Sequence, residues 1–349
     1  MSAASLPPHA RTPPLTRPGC YSTVSQVAVH VPPGHQTGQD IEELLRVRDP
    51  DARVMPGLLR QMYGFEQRRV APPGTWPSDL AAAAGRGALD QAGLLPDAVD
   101  LLIFASASED VEEPATAHIV ADKIGVTASA FDVKNACNGL LNAMEIADAL
   151  IRTHQYRRVL ICTGERGSLL SRQPRRSGND LAEFLPACTL GDLGAALLME
   201  AGDRPGVLGG HFRANSAGWR AATVSNPYFA PAPGAMTVRF DSAALAGSFQ
   251  GMETAAFEGL RALGRTIDDI GLFCVHQPSV AFTHTIRDAL GIPKDKVVHT
   301  FPQYGNVATA SLPLQLVEAT RQSRLRRGDL VALFGLASGA AAGMLLIEW

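Results

Sequence analysis

The chain reads as an α/β protein whose fold is laid down twice, giving a layered α/β/α/β/α body. Three observations predict this. Apolar runs of strand length alternate with stretches of helical period. The order of these elements recurs at an offset of about 170 residues, as a duplicated unit would. The repeat places two strand–turn–helix passages opposite each other, one of them holding a free cysteine.

The elements follow in order. Residues 1–20, proline-rich and without hydrophobic period, predict a flexible extension. The first half spans residues 21–203 and the second 204–349. Asp100 to Ala105 is a buried-type strand, matched by Gly271 to His276. Phe131 to Gly139 reads as strand and turn, followed by a helix with Leu140, Met144, Ala147 and Leu150 on its apolar face. Its counterpart is His299 to Asn306 with a helix to about Thr320. Arg158 to Cys162 pairs with Asp329 to Leu333, and Ala195 to Glu200 with Gly343 to Glu348. The last pair breaks the offset because the first half carries an insert at about 164–190. Its polar, glycine-bearing stretch Arg172, Pro174, Arg175, Arg176 predicts a surface loop or cap.

Composition narrows the function classes. With 349 residues, 46% hydrophobic and 19% charged, the chain has the make-up of an ordinary soluble enzyme with a large core. A net charge of −3 gives no reason to expect nucleic acid or an anionic membrane as partner. No apolar run is long enough to span a bilayer, and the start lacks the pattern of a secretion signal. The cysteines Cys20, Cys137, Cys162, Cys188 and Cys274 form no CxxC pair and no metal spacing, which fits free thiols in a reducing cytoplasm.

Cys137 is the candidate nucleophile. A thiol at a helix N-terminus meets free backbone N–H groups and the positive end of the helix dipole, so the sequence predicts a favoured thiolate. The repeat sets Asn306 opposite it, at the start of the matching helix, while His276 ends a strand and is followed by the turn Gln277-Pro278. Carboxyl ends of strands and facing helix N-termini line ligand clefts in α/β folds, so the three converge. A Cys–His–Asn set suits acyl transfer through a thioester. The backbone N–H of Cys137 can bind an oxyanion, with Ser338 and Gly339 as candidates for a second donor. A neutral imidazole and an amide can both donate to a developing enolate, which favours carbon–carbon bond formation over hydrolysis.

This ordered set resembles the ketosynthase III group of the thiolase superfamily, the β-ketoacyl-acyl-carrier-protein synthase III-like condensing enzymes. The matching pieces are Asp132 to Gly139, Leu190-Gly191-Asp192-Leu193-Gly194-Ala195, Val275-His276-Gln277-Pro278, Tyr304 to Ser311, and the ending Gly335 to Gly343. The resemblance covers about residues 21–349. It implies a thiolase-like fold, a homodimer, no permanently bound cofactor, and coenzyme A or acyl-carrier-protein (phosphopantetheine) thioesters as substrates. Two departures stand out. Housekeeping members grip coenzyme A through an arginine and a tryptophan near the Gly64 turn and an arginine before the Gly191-Asp192 motif. Here those stretches read Pro56 to Gly64 and Leu181 to Pro186, which points to a carrier-protein donor or a differently held coenzyme A. Where such members have an apolar residue, this chain has Glu113, with Glu112 next to it. A glutamate there resembles the olefin- and pyrone-forming branch, in which it removes the α-proton of a thioester, reaching in from the neighbouring subunit. In a dry pocket its carboxyl would titrate higher than usual, toward a useful base.

The expected activity is therefore condensation of acyl thioesters, decarboxylative or not, in specialised metabolism. Transfer of the acyl group to oxygen or nitrogen of a metabolite is the alternative, and a non-catalytic carrier-protein partner a further one. For each residue there is a plainer account: Cys137 as core packing, His276 and Asn306 as caps, Glu113-Pro114 as the first turn of a helix.

Overall fold

A computed structural model describes residues 20–173, 181–226 and 237–349. The extension 1–20, Cys20 apart, and the insert residues Pro174, Arg175 and Arg176 lie outside them. Two mixed sheets form the frame. The first holds β1 (Tyr21–His30), β2 (Leu101–Ala105), β3 (Ser129–Val133), β4 (Arg158–Arg166) and β5 (Asp192–Gly202), in the order β1-β5-β4-β2-β3. The second holds β6 (Val207–Ala214), β7 (Leu272–Val275), β8 (Leu330–Ala337) and β9 (Ala341–Glu348), in the order β7-β8-β9-β6.

The duplication is visible in the pairing. In each sheet an antiparallel trio (β1, β5, β4 or β6, β9, β8) is extended by a parallel strand, β2 or β7. Only the fifth position differs. The first sheet continues into β3, whereas the second reaches a single bridge from Phe273 to Val297. The strand expected before Asn306 is thus reduced to one pair, because the chain at Pro302 turns into a short helix, Phe301–Tyr304.

Among the described residues, these helices bear on the layers and the site: α1 (Pro77–Ala92), α2 (Thr116–Ile124), α3 (Gly139–Arg152), α4 (Leu181–Cys188), α5 (Thr254–Ala262), α6 (Val280–Ala289) and α7 (Ser311–Arg321). Strand parity assigns the layers. Leu101, Ile103 and Ala105 face α3 and α7, together with Cys274, Val331, Leu333, Leu345 and Ile347 of the other sheet. Leu102 and Phe104 face outward onto α1 and α2. Phe273, Val275, Phe334 and Leu346 face outward onto α5 and α6. The result is the expected five-layered α/β/α/β/α body, with α3 and α7 enclosed between the sheets.

The insert departs from its expectation. Rather than only a loop, it ends in α4, whose Phe184, Leu185 and Cys188 pack with Leu59, Phe65 and Phe301. Among the described residues no helix is long and apolar enough to cross a membrane.

Helix α1 lies unusually close to the first sheet. Its face is built of Ala81, Ala82, Ala84, Gly85 and Ala88, and it meets Gly164 of β4 and Gly194 of β5. A Cβ at Gly164 would overlap the Pro77 backbone. Gly164→Ala is expected to destabilise the protein by roughly 3 kcal/mol in urea unfolding, since backbone must move. Gly247→Ala, at an exposed helical position with open space around it, should leave the midpoint unchanged or slightly raised.

Candidate active site

The turn between β3 and α3 presents Cys137. Ala136 adopts a left-handed conformation, φ 44°, which reverses the chain just before the thiol. The Asn138 N–H donates to Asn135 O at 3.0 Å, and the Asn135 side chain donates to Asn142 Oδ1 at 2.7 Å. Asn138 takes the N-cap position of α3 without a side-chain capping bond, so Cys137 stands one residue ahead of the helix start, as the sequence predicts.

The thiol itself does not follow expectation. Cys137 keeps partial solvent access, but desolvation pushes its pKa up to about 12, with the Glu165 charge adding to the effect and a backbone hydrogen bond opposing it. The helix N-terminus is outweighed, and the resting group is a thiol. Cys162, Cys188 and Cys274 are also pushed up by burial, and with Cys20 they sit in apolar clusters.

His276 follows the last residue of β7 and is 4% exposed. Its N–H bonds to Phe334 O at 2.9 Å, tying it to β8, and its Nδ1 has no hydrogen-bond partner among the described residues. Burial lowers its pKa to about 4, so the imidazole is neutral. The neighbouring Gln277, which the sequence shows only as part of a turn, is a scaffold. Its Oε1 accepts from the Thr300 and Phe301 N–H groups at 2.9 and 3.2 Å, and its Nε2 donates to Val298 O at 2.7 Å. It therefore joins the His276 segment to the chain leading to Asn306.

Asn306 is half-buried and does not open α7 directly. A 3-10 turn, Ala308–Ala310, intervenes before Ser311. The backbone of Asn306 is pinned on both sides: its N–H donates to Thr189 O at 2.9 Å, and its carbonyl accepts from Gly191 at 3.0 Å. Its Oδ1 accepts the Ala308 N–H at 2.9 Å, which commits the oxygen and leaves Nδ2 as the outward donor. Gly305 adopts φ 71°, and a Cβ there would run into the Thr189 carbonyl.

The elements carrying these residues touch. Gly139, at the start of α3, lies against Thr309, three residues after Asn306. Asn138, 1% exposed, lies against Gly335 of β8, next to the Phe334 that holds His276. Ser338 and Gly339 form the turn from β8 to β9, with Gly339 at φ 142°. The turn is fixed by two 2.8 Å bonds between the backbones of Asn215 and Ala340. It borders an open cavity of about 540 Å³, whose wall includes Trp219, Thr223, Val224 and Asn226.

Glu112 and Glu113 are both exposed on the loop between β2 and α2. Helix α2 begins only at Thr116, so Glu113-Pro114 precedes the helix instead of forming its first turn. The cap comes from β3: Asp132 accepts the N–H groups of Thr116 and Ala117 at 2.9 and 2.8 Å. That bond holds the loop against the edge of the first sheet. Glu112 accepts from Asn226 Nδ2 at 3.2 Å, on the wall of the cavity beside the Ser338–Gly339 turn. Of the insert arginines, Arg172 gives its carbonyl to Arg48 at 2.7 Å.

Comparison with known proteins matches this arrangement. The family model for 3-oxoacyl-[acyl-carrier-protein (ACP)] synthase III matches residues 131–216, which include Cys137. The model for the C-terminal part of that synthase matches residues 260–349, which include His276 and Asn306. Beta-ketoacyl-[acyl-carrier-protein] synthase III of Oceanobacillus iheyensis is 27% identical over 92% of this chain and 96% of its own length. The same enzyme of Thiobacillus denitrificans is 29% identical over 94% and 99%. Among solved structures, a cysteine-to-serine form of Xanthomonas campestris OleA with bound lauric acid and lauroyl-CoA superposes with a TM-score of 0.85. It is 27% identical and covers 94% of this chain and 99% of that one.

The buried imidazole has a measurable consequence. The unfolded chain takes up a proton at His276 near pH 6.5 and the folded protein only near 4. Between these values protonation favours unfolding, so this stability is complete above 6.5 and is lost as pH falls toward 4. The loss should be on the order of 3 kcal/mol. Urea midpoints of wild type should therefore fall more steeply with acid than those of His276→Asn; parallel curves would contradict it.

Proposed function

Because the chain belongs to the ketosynthase III family of condensing enzymes, we propose that it joins two acyl thioesters through an acyl-cysteine at Cys137, in specialised metabolism. It is a 3-oxoacyl-acyl-carrier-protein-synthase-III-like acyltransferase, and its reaction is a Claisen condensation of acyl thioesters. The observation that carries the finer reading is the orientation of Asn306. With Oδ1 held by Ala308, its amide offers hydrogens to the substrate. Together with the neutral imidazole of His276, it would make a site of uncharged donors.

The steps follow from the groups present. The Cys137 sulfur loses its proton as it attacks the carbonyl of the first thioester, and the donor thiol leaves. The backbone N–H groups of Cys137 and Gly339 receive the transient oxyanion. The second thioester binds with its carbonyl oxygen toward His276 and Asn306. Loss of an α-proton, or of carbon dioxide from a malonyl thioester, gives an enolate whose charge these donors stabilise. Its carbon attacks the acyl group on Cys137, the new carbon–carbon bond forms, and the cysteine is released.

Glu113 of a neighbouring subunit is the proposed base for the α-proton, with Glu112 beside it. Two features support a homodimer that delivers it. Strand β3 ends its sheet with no further strand beside it among the described residues, so two copies can pair edge to edge. Asp132 holds the glutamate loop at that same edge. Coenzyme A or acyl-carrier-protein thioesters are the substrates, with no permanent cofactor, in a reducing cytoplasm. The lauroyl-CoA held by the OleA relative supports a long acyl chain.

Intact mass spectrometry with a panel of acyl-coenzyme A and acyl-carrier-protein thioesters tests the acyl-enzyme. An acyl mass should appear on wild type and be absent from Cys137→Ala. No adduct from any donor would sink the proposal. The source of the enolate is tested separately. Glu113→Ala should lose about a hundredfold or more in condensation of two acyl thioesters, within the range of general base catalysis. It should keep activity with a malonyl thioester, and equal loss with both would remove Glu113 from the role of base.

A further inference from the structure

A buried polar cluster joined to the Asn306 turn through Thr309 is left unused by these steps. Glu165, near the end of β4, is 2% exposed. Its Oε1 accepts the Ala107 N–H at 2.9 Å, and its Oε2 accepts the Ser108 hydroxyl at 3.0 Å. The Thr309 hydroxyl also donates to Oε1, and Thr163, two residues earlier on the same face of β4, bonds to Thr309 in turn. Each of these partners can act as a donor, which suits an ionised carboxylate despite the cost of burying it. Burial still raises its pKa, against the hydrogen bonds that favour the charged form.

The three partners belong to the site. Ala107 and Ser108 begin the loop that leads to Glu113. Thr309 belongs to the turn that commits the Asn306 oxygen, and it lies against Gly139 at the head of the Cys137 helix. We propose that Glu165 is a positioning residue for the condensation: its carboxylate fastens the Asn306 turn to the loop of Glu113, and through Thr309 it reaches the head of the Cys137 helix. This rests on the reading of Cys137 as acyl carrier and Asn306 as enolate donor. A charge there opposes a free thiolate, in line with the upward shift at Cys137. Once the sulfur is acylated that opposition ends, and the fastening of Asn306 remains for the second step.

The other ionisable groups nearby are engaged elsewhere. Arg166 and Asp192 face each other at 3.6 Å, Glu109 pairs with Lys134 at 2.7 Å, and Asp110 accepts the Ser78 N–H at 2.9 Å. His276 is neutral.

Two variants separate charge from fastening. Glu165→Gln removes the charge, and Thr309→Val removes the hydroxyl link while the carboxylate stays. Alkylation of Cys137 by iodoacetamide is followed against pH, with peptide mass reading this cysteine alone. In Glu165→Gln the inflection should move down by about one pH unit, and in Thr309→Val it should stay in place. Both variants should lower kcat for condensation about tenfold or more with KM within about twofold. Acyl loading of Cys137 should persist in both. An alkylation profile of Glu165→Gln that overlays wild type would overturn the electrostatic part. An unchanged kcat in Thr309→Val would overturn the fastening, and this arm stands even if Glu165→Gln does not fold. If wild-type Cys137 neither alkylates nor loads, the acyl-carrier reading itself fails, and the inference with it.

Discussion

The architecture depends on two helices packed between the sheets, where solvent reaches fully only a few positions toward their C-terminal ends, such as Ala149, Thr320 and Arg321. α3 and α7 lie between the sheets, with Leu140, Met144, Ile151, Leu312 and Leu316 enclosed among strand residues from both sides. Their inward faces are apolar, and polar residues along them are committed to the fold: Asp148 to Ser22 and Arg152, Gln315 to Val275, and Glu318 to Tyr304 and Arg321. Only the ends remain, and the N-terminal ends bring unpaired backbone N–H groups with them. Cys137 precedes α3, and the Asn306 turn precedes α7. The site's location is a consequence of burying this central layer.

The same enclosure decides the charge state of the groups. Taking an ionisable side chain out of water favours its neutral form, and both Cys137 and His276 shift that way. A neutral site with well-aimed donors is suited to charge that exists only in passing, such as an oxyanion or an enolate. Stabilisation offered by fixed N–H groups is then realised mainly in the transition state. Burial pushes Glu165 the same way, but the Ala107 N–H and the Ser108 and Thr309 hydroxyls surround it as donors that favour its charged form. A carboxylate so placed can hold a turn while leaving the substrate side of the site uncharged.

Much of this was legible in the sequence, for a physical reason. Strands buried on both faces, such as Leu101–Ala105 and Leu330–Ala337, are continuous apolar runs, and their repeat reveals the duplication. The cysteine, histidine and asparagine stand at the ends of such elements, where polar residues are conspicuous. What escaped was set by distant partners. The thiol's protonation is set first by burial and then by Glu165, which in sequence looks like an ordinary charge at a strand end. Its partners Ala107, Ser108 and Thr309 lie 57 to 144 residues away. Gln277 looked like part of a turn because its partners, Val298 to Phe301, meet it only in the folded chain. The missing fifth strand of the second half escaped because Val297 and Val298 are apolar there while the bridge extends no further.

The duplication also explains how one fold offers two reactive turns that face each other. Each half sends its chain from the edge of a sheet into the central helix layer through a tight reversal. In both reversals an alanine takes the left-handed conformation, Ala136 at φ 44° and Ala308 at φ 43°. A non-glycine residue there is uncommon and is kept where the surroundings fix it. In the first half the reversal presents a thiol, and in the second it ties down an amide oxygen. The two turns are one structural device with different side chains, pressed together where Gly139 meets Thr309. In the proposed roles, a nucleophile and an enolate donor carried by these two turns need little rearrangement between the two steps of a condensation, because both are placed by the packing of the same two helices.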